Sequence, residues 1–166
     1  MKLSAPIFVI GSLSAVALMS VLVHPYGNVK AAKSSQPLLA GGEVTPAVLD
    51  VFERSCQNCH SDKTEWPWYS YIAPTSMMIE SDVGAARSRM NLSHWNEYSN
   101  EDQQAILTGL AAAVRSREMP PQKYTLIHPA SKLSTEERQL IYNWARSERL
   151  RLKAPPPVER VPSIGG

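Results

Sequence analysis

The chain has 166 residues, of which 43% are hydrophobic and 19% are charged. This composition is typical of a globular protein with a packed core and excludes a wholly disordered chain. The formal net charge is only +2, so the sequence lacks the strongly basic character of a nucleic-acid-binding protein and predicts no nucleic-acid partner. The length suits one domain with extensions at its ends.

Residues 1–31 have the pattern of an export segment. Lys2 precedes an uncharged run at residues 7–23, a breaker cluster at residues 24–27 and small residues near Ala31. We favour a signal peptide cut after about Ala31. The alternative is a retained N-terminal membrane anchor formed by residues 7–23, because this run approaches the roughly 17 residues that can span a bilayer. Both interpretations predict export to the periplasm, in soluble form or anchored to the inner membrane.

The next elements are a linker and a first helix. Residues 32–44 contain Ser, Gly and Pro without an apolar period, which predicts a flexible linker. Thr45 followed by Pro46 is a typical helix start, with the hydroxyl as N-cap and proline in the first turn. Val48, Val51 and Phe52 recur at helical spacing, so this helix leads directly to the cysteine at position 56.

Three more helices follow in the sequence pattern, and no convincing run of alternating strands is present. They are predicted at residues 75–89, after the N-cap Ser99, and after a capping box formed by Ser134 and Glu137. Their apolar stripes are Ile79, Val83 and Ala86 in the first, Ile106, Leu110 and Val114 in the second, and Leu140, Ile141, Trp144 and Ala145 in the third. The sequence therefore predicts an all-α domain at residues 45–153, with about four helices, long irregular connections and a Pro-rich flexible tail at residues 154–166.

The only two cysteines lie in the motif Cys56-Gln57-Asn58-Cys59-His60. A structural zinc site would need a second pair of ligands, which the chain does not offer. A redox-active dithiol usually lies at a helix N-terminus, whereas here a helix precedes Cys56. A structural disulfide would close only a very short loop and leave His60 without a role.

Covalent haem attachment accounts for the whole motif, because C-x-x-C-H is the spacing of c-type haem sites. Cys56 and Cys59 are predicted to form thioethers to one haem c per chain, and His60 to bind its iron. The aromatic residues that follow could form walls of the haem pocket, or they could be ordinary core residues. These residues are Trp66, Trp68, Tyr69 and Tyr71.

The sixth iron ligand has several candidates. Met119 is favoured because it follows a helix and precedes Pro120 and Pro121, which would present its thioether on a rigid segment. His128 is the second candidate. The remaining alternatives are another ligand or an open position, and an open position would permit peroxide or small-gas chemistry.

Three stretches of the chain resemble the haem-binding domain family of small exported bacterial proteins, which are similar to c-type cytochromes. The stretches are CQNCHSDKTEWPWYSYIAP, the segment from Asp82 through NLSHWNEYS, and EMPPQKYTLIHPASKLSTEERQLIYNWA, within residues 45–146. The resemblance implies a cytochrome-c-like fold in which the helix before the motif packs against the last helix. It also implies a single covalent haem held by Cys56, Cys59 and His60, with Met119 as distal ligand. Where it predicts a glycine shortly before the methionine, this chain has Arg117 and Glu118.

The leading functional hypothesis is a one-electron carrier or redox module with an unidentified redox partner protein, rather than an enzyme. One alternative is a haem sensor or peroxidase-like enzyme with a labile sixth ligand. The other is a thiol-disulfide protein that uses the two cysteines without haem.

Overall fold

The structure is a computed structural model that describes residues 8–12, 14–15 and 29–154. These residues form helices and connections, with no β-strand among them. Residues 8–12 and 14–15 are helical. From residue 46 onward the α-helices are α1 (Pro46–Ser55), α2 (Gln57–His60), α3 (Thr75–Arg89), α4 (Asn100–Arg115), α5 (Gln122–Ile127) and α6 (Thr135–Lys153). Short 3-10 helices lie at Val29–Ala31, Trp68–Tyr71, Leu92–Glu97 and Pro129–Ser131.

The all-α fold and the four predicted helices are confirmed. The predicted caps are also present, because Thr45 caps α1, Ser99 caps α4 and the Ser134–Glu137 capping box begins α6. Helices α2 and α5, which have four and six residues, are not predicted from the sequence. Segments this short show too little of the helical period to be recognised.

The core forms where α1, α4 and α6 meet. Helices α4 and α6 pack against each other, and α1 contacts α6. The rings of Phe52 and Trp144 meet edge to face with centroids 5.2 Å apart. Leu107, Val114 and Ile141 are buried between these helices. The helix before the cysteine motif therefore packs against the last helix, as the sequence resemblance implies.

The segment predicted to be a flexible linker, residues 32–44, is instead partly integrated into the fold. Leu38 and Leu39 are buried in the core, and the Leu39 N–H donates a hydrogen bond of 2.9 Å to the carbonyl oxygen of Leu92. The Trp144 indole donates to the carbonyl oxygen of Glu43 at 2.8 Å. Two adjacent leucines can anchor an irregular segment without any helical period. The lack of an apolar period in residues 32–44 therefore did not show that the segment is a free linker.

Most of the predicted export segment, at residues 1–7, 13 and 16–28, lies outside the described residues, as do residues 155–166 of the predicted tail. Among the residues that are described, no helix is both long enough and apolar enough to cross a bilayer.

Candidate functional site

A cavity of about 760 Å³ brings together the residues singled out by the sequence analysis. Cys56, Cys59 and His60 line it from the junction of α1 and α2, and Met119 lines it from the connection between α4 and α5. The cavity size falls within the roughly 300–1,000 Å³ that is usual for ligand and cofactor sites. The four side chains that the sequence predicts to hold a haem, from two separate parts of the chain, therefore share one cavity.

The single turn of α2 places the motif side chains at the cavity. Cys56 ends α1, and its carbonyl oxygen accepts hydrogen bonds from the N–H groups of Cys59 at 3.2 Å and His60 at 3.0 Å. Asn58, between the cysteines, donates to the Tyr124 hydroxyl at 3.1 Å and accepts a bond from the Glu65 N–H at 3.1 Å. The motif turn is thus tied to α5 and to its own downstream segment.

His60 is held in one tautomer by the backbone. Its Nδ1 lies 3.1 Å from the carbonyl oxygen of Met90, and because a carbonyl can only accept, Nδ1 carries the hydrogen. In this tautomer Nε2 carries the lone pair that can bind a metal, and His60 lines the cavity. Burial also lowers the pKa of His60, which favours the neutral imidazole that binds metals.

Neither cysteine has the properties of an activated thiol. Both are free in the structure. Burial raises the pKa of Cys56 to about 12 and, together with the charge of Asp82, raises the pKa of Cys59. Redox-active cysteines have lowered pKa values because the thiolate is the reactive form. This environment argues against a thiol-disulfide enzyme.

The segment after His60 is fixed by a polar network. Arg87 on α3 donates from Nε to the Ser61 carbonyl oxygen at 2.9 Å and lies 3.6 Å from an Asp62 carboxylate oxygen. Asp62 also accepts bonds of 2.9 Å from Asn91 and 2.7 Å from His94. The hydrogen bonds from Asn91 and His94 lower the pKa of Asp62 against the effect of its burial. This network fixes the backbone next to the His60 ring.

Hydrogen bonds to two helices hold the backbone at Met119. The Met119 N–H donates to the Ala113 carbonyl oxygen of α4 at 3.1 Å. Arg138 on α6 donates from Nη1 to the carbonyl oxygens of Val114 and Met119, both at 3.0 Å. Arg117 has a φ of 66°, the left-handed conformation that glycine adopts most readily. A glycine expected near the methionine is therefore replaced by an arginine in a glycine-like conformation.

The structure places all four predicted pocket aromatics, Trp66, Trp68, Tyr69 and Tyr71, outside the lining of this cavity. Trp68 is 75% exposed, Trp66 lies beside Lys30, and the Tyr69 hydroxyl shares a 2.8 Å hydrogen bond with Nε2 of His128. This bond occupies His128, the second candidate for the sixth ligand, which is also absent from the cavity lining. These aromatic residues directly follow the motif in sequence. The chain nevertheless leads away from the cavity after the motif, and the 3-10 helix Trp68–Tyr71 packs on α3.

The cavity has lining residues that the sequence analysis did not assign to a site. Small residues of α3 and α4, among them Ala86 and Gly109, make space, and Ile106 and Leu110 provide apolar contacts. The last two belong to the α4 stripe that was predicted to face the core. Their periodicity was recognised, but a sequence pattern does not distinguish a face that packs on protein from one that lines a cavity.

The donor set and the lining fit a haem. An imidazole and a thioether are the usual axial ligands of c-type iron, and two free thiols lie beside them. The hydroxyl of Ser55, also in the lining, is buried with no hydrogen-bond partner among the described residues, as a polar atom facing a bound group would be. Within the part of the chain that is described, no cluster of three or more His, Cys, Asp or Glu side chains could hold a metal ion by itself.

Comparison with known proteins also indicates haem binding. The family described as haem-binding domain matches residues 15–147, and the chain belongs to this family. The protein is therefore a haem-binding protein. It is also similar to the cytochrome c peroxidase Ccp of Escherichia coli (strain K12), with 28% identity over 156 residues. This match covers 90% of the chain but 33% of the peroxidase, so the chain spans about a third of that relative's length. No solved structure gives a significant match.

Proposed function

We propose that the protein carries one covalent haem c and serves as a one-electron carrier or redox module in the periplasm. Cys56 and Cys59 form the thioether bonds, His60 is the proximal iron ligand and Met119 is the distal ligand. The observation that carries this proposal is the shared cavity, since all four side chains line it.

The bound haem supplies one-electron chemistry through its iron. The residues of this chain hold it and set its surroundings. The Met90 carbonyl oxygen accepts the Nδ1 hydrogen of His60, which orients the ring and makes Nε2 the better donor. Apolar residues such as Ile106, Leu110 and Leu133 line much of the cavity. A largely apolar site with two strong ligands favours a small change of structure between the two oxidation states, as an electron carrier requires.

The assignment of Met119 is tested by replacing it with alanine in protein made by cells that can attach haem c. Met119→Ala should keep the haem but lose the near-infrared methionine-to-iron band, lower the reduction potential and admit external ligands. Met78→Ala is the matched control, because Met78 is 60% exposed on α3 and lies outside the cavity lining. An unchanged spectrum for Met119→Ala would remove Met119 from the proposal.

His60 is tested in the same host. His60→Ala should abolish the low-spin spectrum and greatly reduce the yield of holoprotein, whereas His128→Ala should keep both because His128 is bound to Tyr69. A holoprotein yield and spectrum that persist in His60→Ala but collapse in His128→Ala would reverse the two assignments.

A second candidate function is a peroxidase-like activity, favoured by the similarity to the cytochrome c peroxidase across most of this chain. It requires the sixth iron position to open to peroxide. The test is peroxide-dependent oxidation of reduced cytochrome c by the purified holoprotein. Turnover by the wild-type protein would favour the peroxidase. Turnover that appears only in Met119→Ala would favour the carrier, with methionine closing the position.

A further inference from the structure

Lys30 occupies a site built from the aromatic segment and α3. Its Nζ lies 3.2 Å from Oε1 of Glu80 and donates to the Ser70 carbonyl oxygen. The same nitrogen lies 4.1 Å from the ring centroid of Tyr71 and 5.3 Å from that of Trp66. The Lys30 side chain is 13% exposed and the Glu80 side chain 2%. We call this arrangement the Lys30 clasp.

The backbone next to Lys30 is also bound. Nη1 of Arg87 donates to the Val29 carbonyl oxygen at 2.8 Å, and the 3-10 helix Val29–Ala31 packs on α3. The same Arg87 fixes the segment after His60. The chain therefore enters the domain at a defined place on α3.

A group of exposed apolar side chains lies on the elements that form the clasp. Trp68 is 75% exposed, Ile72 51% and Met78 60%, and Tyr71, whose ring contacts Lys30, is 50% exposed. All belong to residues 68–78, the 3-10 helix Trp68–Tyr71 and the start of α3, which contact each other. Contiguous exposed apolar patches mark interaction surfaces, and these four side chains lie on adjoining elements. We call this cluster the 68–78 face.

The apolar run that precedes the clasp in sequence points to a lipid bilayer as the partner of the 68–78 face. Residues 7–23 are uncharged and largely apolar, and the side chains of Phe8, Val9 and Ile10 are 61%, 58% and 64% exposed. Only residues 24–29 separate this run from Lys30, and six extended residues span at most about 22 Å. If the run is embedded in a bilayer, the 68–78 face lies close to the lipid headgroups, where Trp and Tyr are enriched.

We propose that residues 7–23 are retained as a membrane anchor and that the Lys30 clasp holds the 68–78 face against the surface of the bilayer. Cleavage after Ala31 would remove Lys30 and with it the ion pair to Glu80 and both cation–aromatic contacts. The clasp is thus a structural reason to retain the segment. The proposal does not depend on how haem is bound, so it can fail while the proposed function stands.

The first measurement is the mass of the mature holoprotein from membranes of the producing cells. The proposal predicts a chain that contains residues 7–23 and sediments with the membranes. A mature chain that lacks this run, whether it begins before or after Lys30, overturns the proposal.

The second measurement maps lipid contacts of the full chain. The holoprotein is placed in phosphatidylethanolamine–phosphatidylglycerol vesicles with a photoactivatable phospholipid, and adducts are located by peptide mass spectrometry. We expect adducts in residues 66–78 as well as in the N-terminal run. The double variant Trp68→Ser/Ile72→Ser and the variant Lys30→Gln should reduce the 66–78 adducts several-fold.

The control is Leu150→Ser, since Leu150 is 61% exposed on α6 and should leave the adducts unchanged. The haem spectrum of each variant shows that the domain is folded. Adducts confined to the N-terminal run, or a 66–78 signal equal in all variants, would overturn the proposal and point to a protein partner for this face.

Discussion

If Met119 is the distal ligand, as proposed, the hydrogen bonds of Arg138 set how tightly it is held on the haem iron. Nη1 of Arg138 donates to the carbonyl oxygens of Val114 and Met119 at 3.0 Å each. Hydrogen bonds to charged groups contribute about 1.5–3 kcal/mol apiece. Because Arg138 is half-buried and water can replace part of the interaction, we expect a total of about 1.5–3 kcal/mol for the pair.

The replacement Arg138→Met keeps the aliphatic stem and removes both bonds. A loss of about 1.5–3 kcal/mol corresponds to a roughly 10- to 100-fold larger fraction of molecules in which Met119 has left the iron. An external ligand binds only this open fraction, so its apparent Kd should fall by the same factor. The assay is a titration of ferric holoprotein with imidazole, followed by loss of the methionine-to-iron band.

Two controls separate positioning from general destabilisation. Arg138→Lys keeps the charge but loses the fork of donors and should give an intermediate Kd. Arg146→Met changes an exposed arginine of the same helix and should leave the Kd unchanged. An imidazole Kd for Arg138→Met equal to that of the wild type would refute the reasoning.

Three further predictions concern the cavity, the Met119 segment and the His94 network. Gly109→Leu should sharply reduce haem incorporation, because no atom lies within 4 Å of a Cβ added there and the new side chain would fill the cavity. Thr108→Leu, exposed on α4 and outside the cavity lining, should not reduce it, and equal holoprotein yields for the two variants would contradict this placement of the haem. Arg117→Gly should raise the free energy of unfolding by about 0.5–1 kcal/mol in urea titrations, since it relieves a left-handed arginine. Hydrogen bonds to Glu97 and Asp62 raise the pKa of His94. Protonated His94 should therefore stabilise the folded protein fully below pH 6.5, and this contribution should be lost as the pH rises through the folded-state pKa of His94. His94→Gln should flatten this part of the stability–pH curve, and a curve identical to the wild type would refute the assignment.

The long helices could be predicted because their signals are local. Thr45, Ser99 and Ser134 are caps with well-defined sequence patterns, and each begins a helix in the structure. The cysteine motif is equally local, since its five residues form one turn. Met119 was chosen as a candidate ligand from its position between a helix and two prolines, and it lines the cavity with the motif residues.

The features that were missed depend on contacts between distant parts of the chain. Trp66 and Tyr71 contact Lys30, about 40 residues earlier, rather than the cavity. Leu39 reaches the core through a bond to Leu92. Glu80 is buried on α3, where it pairs with Lys30. Because α3 buries a polar side chain, its apolar residues alone do not show which face of the helix is buried. In each case the partner that decides the environment lies too far away in sequence for a periodic pattern to show it.

The central claim is that haem is bound covalently through Cys56 and Cys59, and the most direct test is the mass of the denatured mature protein. It should be prepared from a host that can attach haem c. The account predicts a mass equal to the chain plus one haem, with the haem retained after denaturation and lost in Cys56→Ser/Cys59→Ser. A denatured wild-type protein with the mass of the polypeptide alone would contradict it.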